Sequence, residues 1–495
     1  MTPPPVHGPL DLSAVRIDPA WALRVPAALA MRRLALPLCV VDGALAVAMA
    51  DPGDAATVEA IARAAGMPVS PVPADPDALR PWLLRVYGDI RTASAAGLAP
   101  AAAVPADPVA LVDALLRAAA LRAASDIHID PFREDARVRL RVDGRLEELL
   151  RIPSALLPAV CSRVKVMSGL DIAEKRAPQD GAFSWRLPGT DLPPFDVRVA
   201  TLPVRFGERI TLRLLETGGE RLSIDDLGMA PAHRAQFERI LESPHGLVVL
   251  AGPTGAGKTT TLYAAIQALL QRAELSILTV EDPVEYEIEG VAQVEVDSGD
   301  KVNFSKALRS LLRHDPDVIM IGEIRDAESL DTAVKAALTG HLVLSTLHAN
   351  DAPGAVTRLL DMGLEPHLAA ATLRLSVAQR LVRRLCPHCR EEATLDEASA
   401  LALGRPALAG RTVFRPRGCL ACAGRGTRGR IGLFEMFTPD SDLAALIARG
   451  SPGVELQAAL RARKVPSLAD DAMDKLLAGV AAAEDLAAAA TADAW

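Results

Sequence analysis

Aromatic side chains make up only 3% of this 495-residue chain, so its cores must be packed with Leu, Val, Ile and Ala. The same scarcity argues against a surface that stacks nucleobases, which needs interleaved rings. Positive charge is not in excess either. With 54 Lys and Arg against 62 Asp and Glu the net charge is −8, which speaks against wholesale coating of nucleic acid. No run of about twenty apolar residues is present. The nearest, "LALPLCVVDGALAVAMA" from Leu34 to Ala50, is broken by Asp42-Gly43, a hairpin signal, and reads as two strands. The opening "MTPPPVHGPL" lacks the charged-then-apolar pattern of a signal peptide. These features read as a soluble, cytoplasmic protein.

Cysteine is sparse and sorted. Cys39 and Cys161 sit alone among apolar residues and read as small core residues. Cys386, Cys389, Cys419 and Cys422 form two C-x-x-C pairs, the pattern of a tetrahedral zinc site in a reducing compartment. The gap between the pairs is longer than in a compact zinc ribbon, so a small subdomain should fold within it.

Length and punctuation suggest several domains. Residues 1–92 form one unit, with the hairpin and a helix in "DAATVEAIARAAG". Residues 93–106, within "RTASAAGLAPAAAVPADP", read as a flexible linker. A second unit, 107–220, opens with a helix in "DPVALVDALLRAAALRA" and continues with alternating strands in "SDIHIDPF" and "ARVRLRVDGRLEELL". A helix in "RIPSALLPAVCSRVKVMSG" and a return to strand in "DVRVATLPVRFGERITLRLLE" complete it. A nucleotide domain follows at 221–384, the cysteine subdomain at 385–436 and an Ala/Leu-rich helical tail at 437–495.

The nucleotide domain rests on "GPTGAGKTTT", which fits G-x-x-x-x-G-K-[ST] between the apolar run "HGLVVLAG" and the helical pattern "TTTLYAAIQALLQ". The loop of Gly252, Pro253, Thr254, Gly255, Ala256 and Gly257 would cradle phosphates with its backbone N–H groups, which every residue but Pro253 supplies, with Thr260 closing the loop. Lys258 would reach the β- and γ-phosphates of ATP, and Thr259 would ligate Mg²⁺. Hydrolysis also needs a group to orient water. Glu323, at the end of the apolar strand Val318 to Ile321, is the candidate base. The position before it is Gly322, so Mg²⁺ must lean on Thr259, water and a carboxylate from Glu281, Asp282 or Glu285. "HLVLST" is bracketed by His341 and His348, which could sense the γ-phosphate.

The stretches "GPTGAGKTTTLY", "TVEDPVEY", "RHDPDVIMIGEIRD" and "LTGHLVLSTLHANDAPGAVTRLLDMG" resemble the Walker A, Asp-box, Walker B and His-box elements of the secretion/pilus traffic ATPases. "SDIHIDP", "DIAEKRAPQDG" and "FGERITLRLL" are similar to that family's second N-terminal domain, and "CPHC"…"CLAC" with "GRIGLFEMF" to its zinc-binding appendage. The likeness covers roughly residues 106–440 and is greatest to the type II secretion ATPases, with pilus-assembly extension motors as the alternative. It implies an α/β fold: a RecA-like P-loop ATPase domain preceded by a PAS-like α+β domain and a small N-terminal α/β domain, with a tetracysteine zinc subdomain near the C-terminus. It also implies an ATP-hydrolysing homo-hexamer with catalytic Lys258, Glu281, Glu323 and His348, and with arginines reaching phosphate from the other domain or a neighbour. By motif Arg198 and Arg209 are those arginines. Ala182 follows "PQDG" where relatives carry arginine, and "GTDLPPF" replaces the usual turn. The expected partners are the cytoplasmic domain of a bitopic inner-membrane protein, docked on residues 1–92, and a polytopic inner-membrane platform protein. Acidic phospholipids are a further expected contact, and the chain would lie peripherally on the inner membrane.

Two rival classes remain at this point. Arg380, Arg383, Arg384, Arg390, Arg415, Arg417, Arg425, Arg428 and Arg430 cluster around the cysteines and could neutralise nucleic-acid phosphates. The lack of interleaved aromatics and the negative net charge favour a protein platform or an acidic membrane surface, with no nucleic-acid partner. A nucleotide-gated scaffold without turnover is the other rival, and the intact Glu323 speaks against it.

Overall fold

The computed structural model describes residues 10–22, 24–87, 107–187, 194–216, 222–272, 274–296 and 304–493. The linker expected at 93–106 lies outside the described residues. The chain divides into two compact units. One comprises Met1–Gly219 with Cys386–Glu391 and Pro416–Arg428; the other comprises Glu220–Leu385, Glu392–Arg415 and Gly429–Trp495.

The first unit begins with β1 (Ala35–Val41), β2 (Ala44–Met49) and β3 (Val69–Pro73), which form a three-stranded sheet in that order. β1 and β2 pair antiparallel across Asp42 (φ 49°) and Gly43 (φ 80°), the two left-handed residues that a tight hairpin turn requires. Helix Ala55–Ala65 is capped by the Asp54 carboxylate and ended by left-handed Gly66.

Six further strands follow: β4 (Ala124–Pro131), β5 (Asp135–Val142), β6 (Arg145–Pro153), β7 (Gln179–Trp185), β8 (Phe195–Val204) and β9 (Gly207–Glu216). They form an antiparallel sheet in the order β6-β5-β4-β9-β8-β7. Helix Pro108–Leu121 starts on an Asp107 cap with proline in its first turn, and buries Leu111, Leu115, Leu116 and Ala119 in the core that this sheet shares. Cys39 and Cys161 are buried, as their apolar surroundings suggested.

The second unit is built on β10 (Gly246–Ala251), β11 (Ile277–Glu281), β12 (Ala292–Glu295), β13 (Val318–Ile321), β14 (Leu342–Leu347) and β15 (Leu373–Leu385). β16 (Arg390–Thr394) and β17 (Thr412–Pro416) make a separate two-stranded sheet. β18 (Thr427–Phe437) completes a seven-stranded sheet in the order β12-β11-β13-β14-β10-β15-β18. The pairings from β12 through β15 are parallel.

Both faces of this sheet are covered, which is why its strands read as unbroken apolar runs. Leu247, Val249 and Ala251 of β10 enter one core cluster and Val248 and Leu250 the other. Ile319 is fully buried, and its truncation to Ala would cost roughly 2–5 kcal/mol. β7 and β15 were not anticipated from sequence. The stretch 385–436 is also divided rather than standing as one body: the cysteine-bearing segments group with the first unit and Glu392–Arg415 with the second. Among the described residues no helix is long and apolar enough to cross a membrane.

Candidate functional site

In a parallel sheet all strand C-termini lie at one edge, where ligands bind in open α/β folds. Here β10 runs into the glycine loop, β11 into Glu281 and Asp282, β13 into Gly322 and Glu323, and β14 into His348. Register pairs Ala251 with Leu347 and Ile321 with both Val280 and Ser345, so these four ends stand together.

The loop is a phosphate cradle by its backbone. Gly252, Gly255 and Gly257 have φ of 157°, 80° and 85°. A Cβ on Gly252 would stand 2.6 Å from the Gln379 carbonyl oxygen of β15, and one on Gly257 2.9 Å from Gln379 Nε2. Gly257 opens helix Lys258–Leu270, whose free N–H groups and dipole favour an anion. Lys258 Nζ folds onto the loop, donating to Gly252 O (2.6 Å) and Pro253 O (3.0 Å). Burial lowers its pKa, and the Glu323 carboxylate opposes that shift. Thr259 and Thr260 are exposed at the helix start, and Ala256 is buried beneath the loop. An exposed hydroxyl at a helix N-terminus beside a phosphate cradle suits Mg²⁺, which takes few protein ligands and keeps its waters.

Glu323 is held on two sides. His348 Nε2 lies 3.0 Å from Oε1 and Arg325 Nε donates to Oε2 at 3.1 Å. Arg325 also bonds Asp282 at 3.0 Å, so the ends of β11, β13 and β14 are tied by one polar chain. Gly322 O accepts from Thr346 Oγ1 at 2.7 Å, which fixes the backbone ahead of the glutamate. Sequence reasoning missed Arg325. Its spacing of two from Glu323 was the available signal.

Glu281 is placed differently. It is 2% exposed, and its carboxylate takes hydrogen bonds from Tyr263, from Thr279 (2.7 Å) and from Gln293 (3.0 Å). Asp282, by contrast, is half-exposed, with one oxygen paired to Arg325. His341 lies at the other end of β14, where its Nδ1 meets Ala336 O at 2.9 Å and its carbonyl accepts from Gly246 N. It stands away from the phosphate loop, unlike His348. The two histidines do bracket the strand, and only His348 stands at the end where the γ-phosphate would be sensed.

Arg198 and Arg209 belong to the first unit. Arg198 faces Ala182 and Arg213 in the ladder of β7, β8 and β9. Arg209 Nε lies 2.8 Å from Asp130 Oδ1, an ion pair without hydrogen-bond angles, and Arg139 holds the other oxygen of Asp130.

The four paired cysteines converge, with all sulfurs within 4.8 Å of one another. The separations Cys386–Cys419, Cys389–Cys422 and Cys419–Cys422 are 3.9, 3.8 and 3.8 Å. A tetrahedral zinc with bonds of about 2.3 Å requires sulfurs about 3.8 Å apart, whereas a disulfide requires about 2.05 Å. Backbone N–H groups of Gly418, Cys419 and Gly426 point at Cys389 or Cys422 sulfur at 3.1–3.3 Å, as thiolate ligands require. The residues fit zinc. Several arginines of this region are engaged within the chain: Arg380 with Asn350 O, Arg383 with Asp485, Arg417 with Asp42 and Glu391, and Arg425 with Glu147.

Comparison with known proteins agrees with this geometry. The family model "Type II/IV secretion system protein" matches residues 105–488, and the "MshEN domain" model matches residues 5–93. Type II secretion system protein E of Pseudomonas aeruginosa is 46% identical over 375 residues, 76% of this chain and 74% of that protein. The type IV pilus assembly ATPase PilB of Myxococcus xanthus is 38% identical over 500 residues, 96% of this chain and 88% of that protein. Among solved structures, the Legionella pneumophila ATPase DotB aligns with TM-score 0.57 at 22% identity, covering 78% of this chain and 96% of that one. The pilus retraction motor PilT with bound ADP aligns with TM-score 0.51 at 24% identity, covering 76% and 95%. At such identity these two speak for the fold.

Proposed function

From the premise that the chain belongs to the type II/IV secretion system protein family and is one of its P-loop ATPases, we propose that it couples ATP hydrolysis to pseudopilus assembly and protein export by type II secretion. The observation that carries this reading is the 45–46% identity, over three quarters of the chain, to proteins named type II secretion system protein E.

The residues divide the work by position. Backbone N–H groups from Thr254 to Gly257 bind the phosphates and Lys258 swings to them from the loop carbonyls, its ammonium form disfavoured by burial and supported by the Glu323 carboxylate. Thr259 would hold Mg²⁺, which neutralises phosphate charge when bound. Glu323 orients and deprotonates the attacking water, with His348 and Arg325 fixing the two carboxylate oxygens. Glu281, buried on Tyr263, shapes the Asp282 turn and positions rather than reacts. Cys386, Cys389, Cys419 and Cys422 would hold a structural zinc, which supplies folding energy and no step of the reaction. Arg198 and Arg209 are the arginines that reach phosphate once a homo-hexameric ring assembles.

The partners follow from the same reading. Residues 1–92 dock the cytoplasmic domain of a bitopic inner-membrane protein, and the ring pushes a polytopic platform protein. The chain then works in the cytoplasm at the inner-membrane surface, with acidic phospholipids as a further contact.

A second reading, extension of a type IV pilus, has one observation in its favour. PilB aligns over 96% of the chain, N-terminal residues included, whereas the type II proteins align over 76%. A strain carrying Lys258→Ala tests the choice. Loss of extracellular enzymes with intact surface pili supports secretion; loss of pili with intact export supports the second reading.

A further inference from the structure

The cysteine knuckle carries, beside its ligands, the residues that touch the N-terminal domain. Leu420 lies between Cys419 and Cys422. Its side chain packs against the core that contains Leu36, Leu38 and Leu45, and its carbonyl accepts from Arg16 N at 3.1 Å. Gly424, two residues beyond Cys422, has φ +77°, and a Cβ there would collide with the carbonyl oxygen of Val40 in β1. Arg417 pairs with Asp42 of the β1–β2 turn at 3.3 Å and with Glu391 at 3.2 Å. Arg425 reaches Glu147 of β6 at 3.5 Å, and Glu147 also holds Arg122 at 3.3 Å. Arg122, 6% exposed, in turn donates to Asp18 at 3.1 Å. The chain Asp18–Arg122–Glu147–Arg425 thus links the N-terminal domain, the six-stranded sheet and the knuckle, all within the first unit.

The knuckle has little else to hold its shape. Between Pro416 and Thr427 the structure has one three-residue turn of 3₁₀ helix, Leu420–Cys422, and the cysteines themselves form its core cluster. A segment of this kind takes its fold from its metal. We propose that the four-cysteine knuckle is a metal-dependent latch: filled, it presents Leu420 and Gly424 so that the N-terminal domain is clamped to the rest of the first unit; emptied, it releases that domain. This inference rests on the zinc reading above. Metal loss would then uncouple the docking domain without touching the phosphate loop.

The test uses the full-length protein and three readouts: zinc by elemental analysis, hydrogen exchange of peptides spanning residues 12–17 and 38–42, and the radius of gyration by X-ray scattering. Zinc is stripped from wild-type protein with a mercurial and a chelator. A second sample carries Leu420→Asp, and a third carries Asp42→Arg, alone and with Arg417→Asp. Opening of the latch should speed exchange at the Arg16 amide about tenfold or more and enlarge the radius of gyration, in the stripped protein and in Leu420→Asp alike. Asp42→Arg lies in an exposed turn outside the knuckle, and its effect is read at residues 12–17, because an arginine at φ 49° also strains the turn beside residues 38–42. It should give a partial rise that Arg417→Asp reverses. Unchanged exchange in Leu420→Asp overturns the latch. Unchanged exchange in wild-type protein after measured zinc loss overturns its dependence on the metal. The zinc content of untreated wild-type protein, read separately, distinguishes failure of the zinc assignment from failure of the latch.

Discussion

His348 Nε2 stands 3.0 Å from the Glu323 carboxylate, on the opposite oxygen from Arg325. The histidine comes from the end of β14 and the glutamate from the end of β13, so adjacent parallel strands deliver both. His348 acts through Glu323 on this account. His348→Ala should lower kcat roughly ten- to hundredfold and leave KM for ATP little changed. An equal rise in KM with unchanged kcat would mean that His348 binds nucleotide instead.

The cysteine geometry predicts one zinc per chain. Cys386→Ser or Cys419→Ser should lower zinc below half an equivalent and reduce solubility, because three remaining thiols do not close a structural site. Well-folded wild-type protein with less than half an equivalent of zinc would contradict the assignment.

Glu435 supplies a pH test in the second unit. Burial pushes its carboxyl up to about 7, reinforced by Asp351 and Asp470, while backbone N–H groups of Leu468 and Ala352 oppose the shift. Its folded pKa is raised, so its contribution to stability is full below its unfolded value near 4.5 and is lost as pH rises through about 7. Glu435→Gln should therefore raise Tm at pH 8 and change it little at pH 5, with a difference on the order of 3 kcal/mol at most. A uniform loss at both pH values would show that the carboxyl contributes packing rather than a titrating charge.

A chain beginning at Asp107 should keep its zinc and some ATPase activity but no longer co-sediment with inner membranes. It should also melt earlier, because Arg122 loses its ion pair with Asp18 and Leu121 loses the N-terminal core it packs against. Unchanged membrane association would move the dock to the cysteine region.

The legible parts of this fold were those encoded locally. Asp42-Gly43 announced its hairpin, Asp107-Pro108 its helix start, and Val318–Ile321 a buried strand. β15 was not legible, because Arg374, Arg380, Arg383 and Arg384 interrupt its apolar run. Arg380 is nonetheless buried, satisfied by the distant Asn350 carbonyl. The same holds for Glu281. Its sequence neighbours make it look like a metal ligand, while its burial depends on Tyr263 and Gln293, which only the packed sheet brings to it. The cysteine pairs were legible as a cluster fit to hold a metal. Their partnership with Leu36, Val40 and Asp42 was not, since those residues are hundreds of positions away.

The most direct measurement compares Lys258→Ala with Glu323→Gln for nucleotide binding and single-turnover hydrolysis at physiological Mg²⁺. Lys258 contacts phosphate in the ground state, so its loss should weaken ATP binding. Glu323 acts on water, so its loss should leave ATP bound at near wild-type affinity and unhydrolysed. Near-normal turnover in Glu323→Gln would contradict the assignment and pass the role to Asp282 or Glu285.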